Sequence, residues 1–254
     1  MQATLPSVMT AGLAAVSVRY AVRAAPEAWV LPEGLVPESI PHQAAAERLK
    51  LLLDAWSVRT ERNVRVVSNL AVRWLEESPS VGIDPDVCVL EPVPPSADDL
   101  RSLCLWKPGH SPPPVCFEIV SPSHPYKDYS TIQDRYAALG TRELCVFDPL
   151  LVGPAALGGP VALQMWRRDP VGLFERVHFG DEPAYSVALE AWLHPAGRTL
   201  EIADDRQGLR RWPSGEERER AEKERERAEK EREREAREAL ERRVAELEAR
   251  SNGQ

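Results

Sequence analysis

Residues 84–90 read DPDVCVL, residues 115–123 VCFEIVSPS, residues 127–140 KDYSTIQDRYAALG and residues 143–149 ELCVFDP. In physical terms this is an acid entering a strand, a second strand with one acid among apolar neighbours, an amphipathic helix, and a third strand. The Val, Cys, Phe and Ile around Glu118 describe a buried strand. A carboxylate at that position is costly unless something pairs with it. Asp86 and Glu118 stand on neighbouring strands, which is how a protein offers oxygen ligands to a hard divalent cation. The blander readings are an Asp86 that satisfies loop backbone donors and a Glu118 held in a buried salt bridge.

Outward from this stretch the pattern alternates strand and helix. Asp128 stands where a helix N-cap would be. Ile132, Tyr136 and Leu139 then share one face, and Gly140 supplies the stop. Upstream of the acids, Ala45, Leu49, Leu52, Leu53 and Trp56 form one helical face after Pro41, and VRVVSNLAVRWLEE (64–77) reads as extended. The Pro-rich segment from Glu91 to Pro114 reads as a long exposed loop. Downstream, ALQMWRRD (162–169) and LFERVHFG (173–180) read as an antiparallel hairpin across Pro170 and Gly172, and TLEIAD (199–204) as one more strand. The fold class is α/β.

Composition narrows the function. The chain has 254 residues, enough for one well-cored domain with an appendage, and a formal net charge of −8. That balance argues against a surface tuned as a whole to nucleic acid but leaves room for a local basic groove. No window approaches the roughly 18 apolar residues of a membrane span. No basic segment precedes the short apolar run near the N-terminus, so no signal peptide is expected. Cys88, Cys104, Cys116 and Cys145 form no CxxC pair, and three of them lie in apolar strand-like runs. The expectation is a reducing, cytoplasmic compartment with neither a disulfide frame nor a thiolate metal site.

Beyond Pro213-Ser214-Gly215 the composition changes. Residues 216–250 carry 14 Glu and 12 Lys or Arg, and the heptad ERERAEK occurs at 217–223 and again at 224–230. Opposite charges at i, i+3 and i+4 support an isolated helix. One apolar residue per heptad (Ala221, Ala228) is too little for a coiled-coil seam, whereas Leu240, Val244 and Leu247 have the spacing of a short two-stranded contact. A solvated single helix and a helix for homo-oligomer formation both fit. The near-cancelling charges do not make a nucleic-acid arm.

Taken together, Pro85-Asp86, then Glu118-Ile119-Val120-Ser121, then Asp128, Tyr136 and Gly140, then Phe147-Asp148-Pro149 resemble the Uma2 family (DUF820) of restriction-endonuclease-like proteins, within the PD-(D/E)xK nuclease superfamily. Gly34 and His42, ahead of a Leu-bearing helix, add weaker support. The resemblance covers about residues 28–215. It implies residues 1–27 as a poorly defined N-terminal segment, 28–213 as a restriction-endonuclease-like domain, and 214–254 as a charged helical tail. It also implies a mixed sheet flanked by helices, with a Mg²⁺ or Mn²⁺ site held by Asp86 and Glu118. The activity implied is metal-dependent hydrolysis of DNA phosphodiester bonds. The family's cation is a lysine. Here the position two after Glu118 is Val120, and the helix position four before Tyr136 is Ile132. Lys127 or Arg135 is the substitute the sequence offers, and Lys127 joins Asp86 and Glu118 as the third catalytic candidate. Val30 stands where relatives carry a glutamate ahead of the glycine. The alternative reading is a catalytically inactive nuclease fold that binds nucleic acid or a protein partner through its charged helix.

Overall fold

The computed structural model describes residues 17–18, 30, 39–95 and 97–251. Its main sheet has seven strands in the order β1 (Ser17–Val18), β10 (Phe174–Gly180), β9 (Leu163–Arg168), β8 (Glu143–Phe147), β7 (Val115–Ile119), β5 (Val87–Leu90) and β2 (Arg65–Val67). Within this sheet, among the described residues, only β7 and β8 run parallel. Parallel neighbours need a crossover, and α2 (Pro125–Ser130) with α3 (Ile132–Leu139) provides it.

The four central strands are apolar on both faces because both are covered. On one face Val87, Val89, Val115, Phe117, Ile119, Cys145, Phe147, Leu163 and Met165 pack with Leu49, Leu53 and Trp56 of α1 (Ile40–Arg59). The same cluster takes in Leu193 and Ile202 from a small antiparallel sheet of β11 (Ala184–Ser186), β12 (Ala191–Ala196) and β13 (Thr199–Ala203). On the other face Cys88, Leu90, Cys116, Leu144, Val146 and Trp166 pack with Tyr129, Ile132, Tyr136 and Leu139. That cluster also includes Val72, Ile83 and Leu103 from a third sheet of β3 (Ala71–Arg73), β4 (Gly82–Ile83) and β6 (Ser102–Cys104). Alternation along β7 therefore aims Glu118 at the α2–α3 layer.

Four expectations need correcting. The single helix opened by Asp128 is two helices. Ser130 and Thr131 hydroxyls bond back to the carbonyls of Tyr126 and Lys127, competing with the helix ladder, and the chain breaks at Thr131. Asp128 lies inside α2, which starts one residue after His124 with Pro125 in its first turn. The extended segment 64–77 is two strands in different sheets, separated by a turn in which Asn69 takes φ +51°, a left-handed conformation Asn tolerates. The Pro-rich stretch is not an exposed loop throughout: β6 pairs parallel with β3, and Leu103 and Cys104 are buried. Finally, TLEIAD is the last strand of a three-stranded sheet, not a lone addition.

The chain divides into two compact units, Met1–Trp212 and Pro213–Gln254. The second holds α4 (Gly215–Ser251). A reciprocal cap opens this helix: Ser214 Oγ accepts from Glu217 N–H at 3.2 Å, and Glu217 Oε2 accepts from Ser214 N–H at 2.7 Å. Ion pairs one turn apart, such as Lys223–Glu219 at 2.6 Å and Arg237–Glu241 at 2.9 Å, line its exposed surface. Leu240 is exposed, while the side chains of Val244 and Leu247 lie outside the described residues. So do Gly34 and all of residues 1–27 except the strand at 17–18. No helix among the described residues is long and apolar enough to cross a membrane.

Candidate active site

Strand register brings the two acids together. β5 and β7 pair with Val87 opposite Phe117, so one further step along the antiparallel ladder sets Asp86 opposite Glu118. The cross-strand contact is direct: Ile119 N–H donates to Asp86 Oδ2 at 2.6 Å. His42 Nε2, from the first turn of α1, lies 3.1 Å from the same oxygen. Asp86 thus accepts from a backbone donor of strand β7 and not from the Pro-rich loop, and is fixed beside Glu118.

Glu118 is 1% exposed. Tyr136 donates its hydroxyl to Oε1 at 2.5 Å, and Lys127 Nζ donates to Oε2 at 3.3 Å. Burial pushes the Glu118 carboxyl up to about 8, reinforced by the charges of Asp86 and Asp128 and opposed by Lys127 and the Tyr136 hydroxyl. Asp128, also buried, rises to about 6 through the same loss of solvent, with Lys127 the chief opposing influence. Next to these acids the Lys127 ammonium is held well above its ordinary range, first by Glu118. Its side chain is nonetheless half exposed, so one cation faces two buried acids and the solvent at once.

All three catalytic candidates meet here. Lys127 reaches Glu118 from α2, while Val120 and Ile132, the two lysine positions of the resemblance, are both apolar core. Arg135 is close enough to feel the charges of Glu118 and Asp84. Three further side chains contact the group although the sequence assigns none of them a role in it: Tyr136, on the apolar helix face; Asp128, at the expected N-cap; and His42, ahead of the Leu-bearing helix. His42 had a visible signal. It occupies the apolar stripe of α1 one turn before Ala46 and ahead of Leu49 and Leu53, and a polar residue on a buried stripe needs a partner.

The donor set suits a hard cation. Asp86 and Glu118 offer carboxylate oxygen, burial pushes the neighbouring Cys116 thiol away from its thiolate form, and Mg²⁺ binds through one or two carboxylates while completing its shell with water and substrate phosphate. Among the described residues no three His, Cys, Asp or Glu side chains converge as a closed cage. Asp86 and Glu118 are the two carboxylates a cation would find here, and the buried Glu118 carboxyl, pushed up by loss of solvent even with Lys127 beside it, would be favoured in its charged form by further positive charge.

At the sheet edge next to the acids, Asn69 N–H donates to Pro85 C=O at 3.0 Å. From Asn69 a groove of about 530 Å³ runs along β2, with Lys50, Arg65 and Arg101 among its lining residues. Asp54 and Asp98 pair with the first two.

With this geometry in view, the comparisons with known proteins are specific. The model of the Uma2 family, described as "Putative restriction endonuclease", matches residues 31–180, more than half of the chain. The chain belongs to the Uma2 family. A crystal structure of "a putative nuclease belonging to DUF820" from Anabaena variabilis is 14% identical, with a TM-score of 0.42, covering 61% of this chain and 76% of the other. No curated protein matches. Uma2 membership makes this a restriction-endonuclease-like protein of mixed α/β architecture.

Proposed function

We propose that this Uma2 protein is a cytoplasmic nuclease that hydrolyses phosphodiester bonds in DNA with Mg²⁺ or Mn²⁺, with Asp86 and Glu118 as the ion's ligands. The observation that carries this reading is the contact of Lys127 with Glu118, which the strand register sets opposite Asp86. It restores the acid–acid–cation set of the superfamily although both usual lysine positions are apolar. A divalent cation held there supplies Lewis acidity and lowers the pKa of a bound water. The protein's own part is positioning. Ile119 N–H and His42 fix Asp86, and the Tyr136 hydroxyl fixes Glu118. The half-exposed Lys127 ammonium offers charge to a phosphoryl oxygen as negative charge develops.

A second reading draws on Val120 and Ile132. With both lysine positions apolar and buried, the fold would bind nucleic acid or a protein partner without cutting, and α4 would be the segment for that partner or for a second copy. One experiment separates the two. Plasmid and single-stranded DNA are incubated with Mg²⁺ or Mn²⁺ and wild-type protein, Asp86→Ala or Glu118→Ala, with circular dichroism as the folding control. Metal-dependent cleavage by wild type, reduced about a hundredfold or more in each folded variant, is the expected result. Cleavage that survives both changes contradicts the assignment. DNA retention on a gel without cleavage by wild type selects the second reading.

A further inference from the structure

One ammonium serves two buried acids. Lys127 Nζ lies 3.3 Å from Glu118 Oε2, to which it donates, and 3.5 Å from Asp128 Oδ1. That second oxygen is fully buried and accepts no hydrogen bond from any described residue. A buried carboxylate oxygen lacking a hydrogen bond is expensive, and Asp128 is 3% exposed. It already pairs with the Lys127 ammonium at 3.5 Å, and a small shift of that long, flexible side chain would turn the ion pair into a direct hydrogen bond.

The position matters when Glu118 takes a different cation. A divalent ion and an ammonium cannot share Glu118 Oε2 without strong mutual repulsion at such short range. The lysine must move, and a lysine that leaves for solvent is lost to the reaction. We propose that Asp128 is a positioning residue that receives Lys127: when a divalent cation binds Glu118, the ammonium transfers to Asp128 Oδ1 and stays beside the ion. In the free protein Lys127 occupies the charge position at Glu118 and keeps that buried acid paired. In the loaded protein Asp128 holds the same ammonium at the edge of the site, facing the phosphate. This inference rests on the two-carboxylate metal site proposed above, and it gives the Lys127–Asp128 ion pair a use.

The test is a double-mutant cycle read by calorimetric titration with Mn²⁺ alone at pH 8.5, on full-length protein. Lys127→Met removes the competing ammonium and should tighten Mn²⁺ binding about tenfold. Asp128→Asn removes the receiving oxygen, leaves the ammonium on Glu118, and should weaken binding about tenfold. In the Lys127→Met background Asp128→Asn should cost clearly less, because only the direct charge of Asp128 on the site is then lost. An equal loss in both backgrounds would make Asp128 a direct ligand or a structural residue and overturn the proposal. Unchanged affinity in Lys127→Met overturns it as well, and this variant decides alone if Asp128→Asn does not fold. Glu118→Ala, run alongside, separates the two levels. Mn²⁺ binding that depends on Glu118 but not on Lys127 defeats this inference only, whereas absence of Mn²⁺ binding in every protein defeats the metal site with it.

Discussion

Glu118 and Glu143 make a controlled comparison. Both are 1% exposed, both lie among apolar residues, and they stand on adjacent parallel strands. Glu143 is saturated with donors: Arg167 Nε at 2.7 Å, Ser186 Oγ at 2.6 Å, and the N–H groups of Val187 and Ala188 at 3.0 Å each. It ties the main sheet to the segment around β11 and has no capacity left. Glu118 has one hydroxyl on one oxygen and one half-exposed lysine on the other. Its environment raises its pKa, and its partners can move or be joined by another cation. A buried acid with all its partners built in is architecture, whereas one left short of donors beside a half-exposed lysine has room for a further cation.

The comparison can be broken first at its structural end. Glu143→Ala leaves Arg167, Ser186 and two backbone donors unpaired, and should destabilise the protein by about 3–5 kcal/mol in urea denaturation. A loss under about 1 kcal/mol would mean that the network around Glu143 is dispensable. Glu118→Gln should do the reverse, keeping the fold while reducing metal-dependent DNA cleavage about a hundredfold or more. Tyr136→Phe sits between them. It strips one hydrogen bond from Glu118 and should cost about 1–2 kcal/mol of stability, with Mn²⁺ still bound.

The same contrast has a pH signature. Glu118 in the folded protein titrates at about 8 against an ordinary 4.5, and Asp128 at about 6 against 3.8. Between those values the folded protein keeps protons that the unfolded chain has released. Stability without metal should therefore fall as pH rises from about 4.5 to about 8. Melting temperatures measured in chelator across that range should decline for wild type and decline less for Glu118→Gln. Equal slopes would place the titrating group elsewhere. The smallest effect belongs to α4. Arg237→Ala breaks an exposed one-turn ion pair with Glu241, and stability should not change measurably.

Much of this was legible in the chain. The strands around Asp86, Glu118 and Phe147, the helix over Leu49 and Trp56, the hairpin across Pro170 and the charged helix after Pro213 all carry strong local patterns, because burial of both sheet faces writes itself as apolar runs. What was not legible depends on partners far apart in sequence. VCFEIV and ELCVF present Glu118 and Glu143 in the same way, and only residues 24 and 43–45 positions downstream of Glu143 reveal its structural role. Asp128 resembled a cap because Asp at a helix start usually is one. The break at Thr131, made by two hydroxyls, moved it into the site. Strands of three residues such as β6 are too short for alternation to announce them.

The most direct test of the central claim is calorimetric titration of Mn²⁺ into wild-type protein and into Glu118→Gln. The account predicts one Glu118-dependent binding event in wild type, lost in a variant that remains folded. Equal binding in both proteins, or none in either, would contradict a metal site built on Glu118.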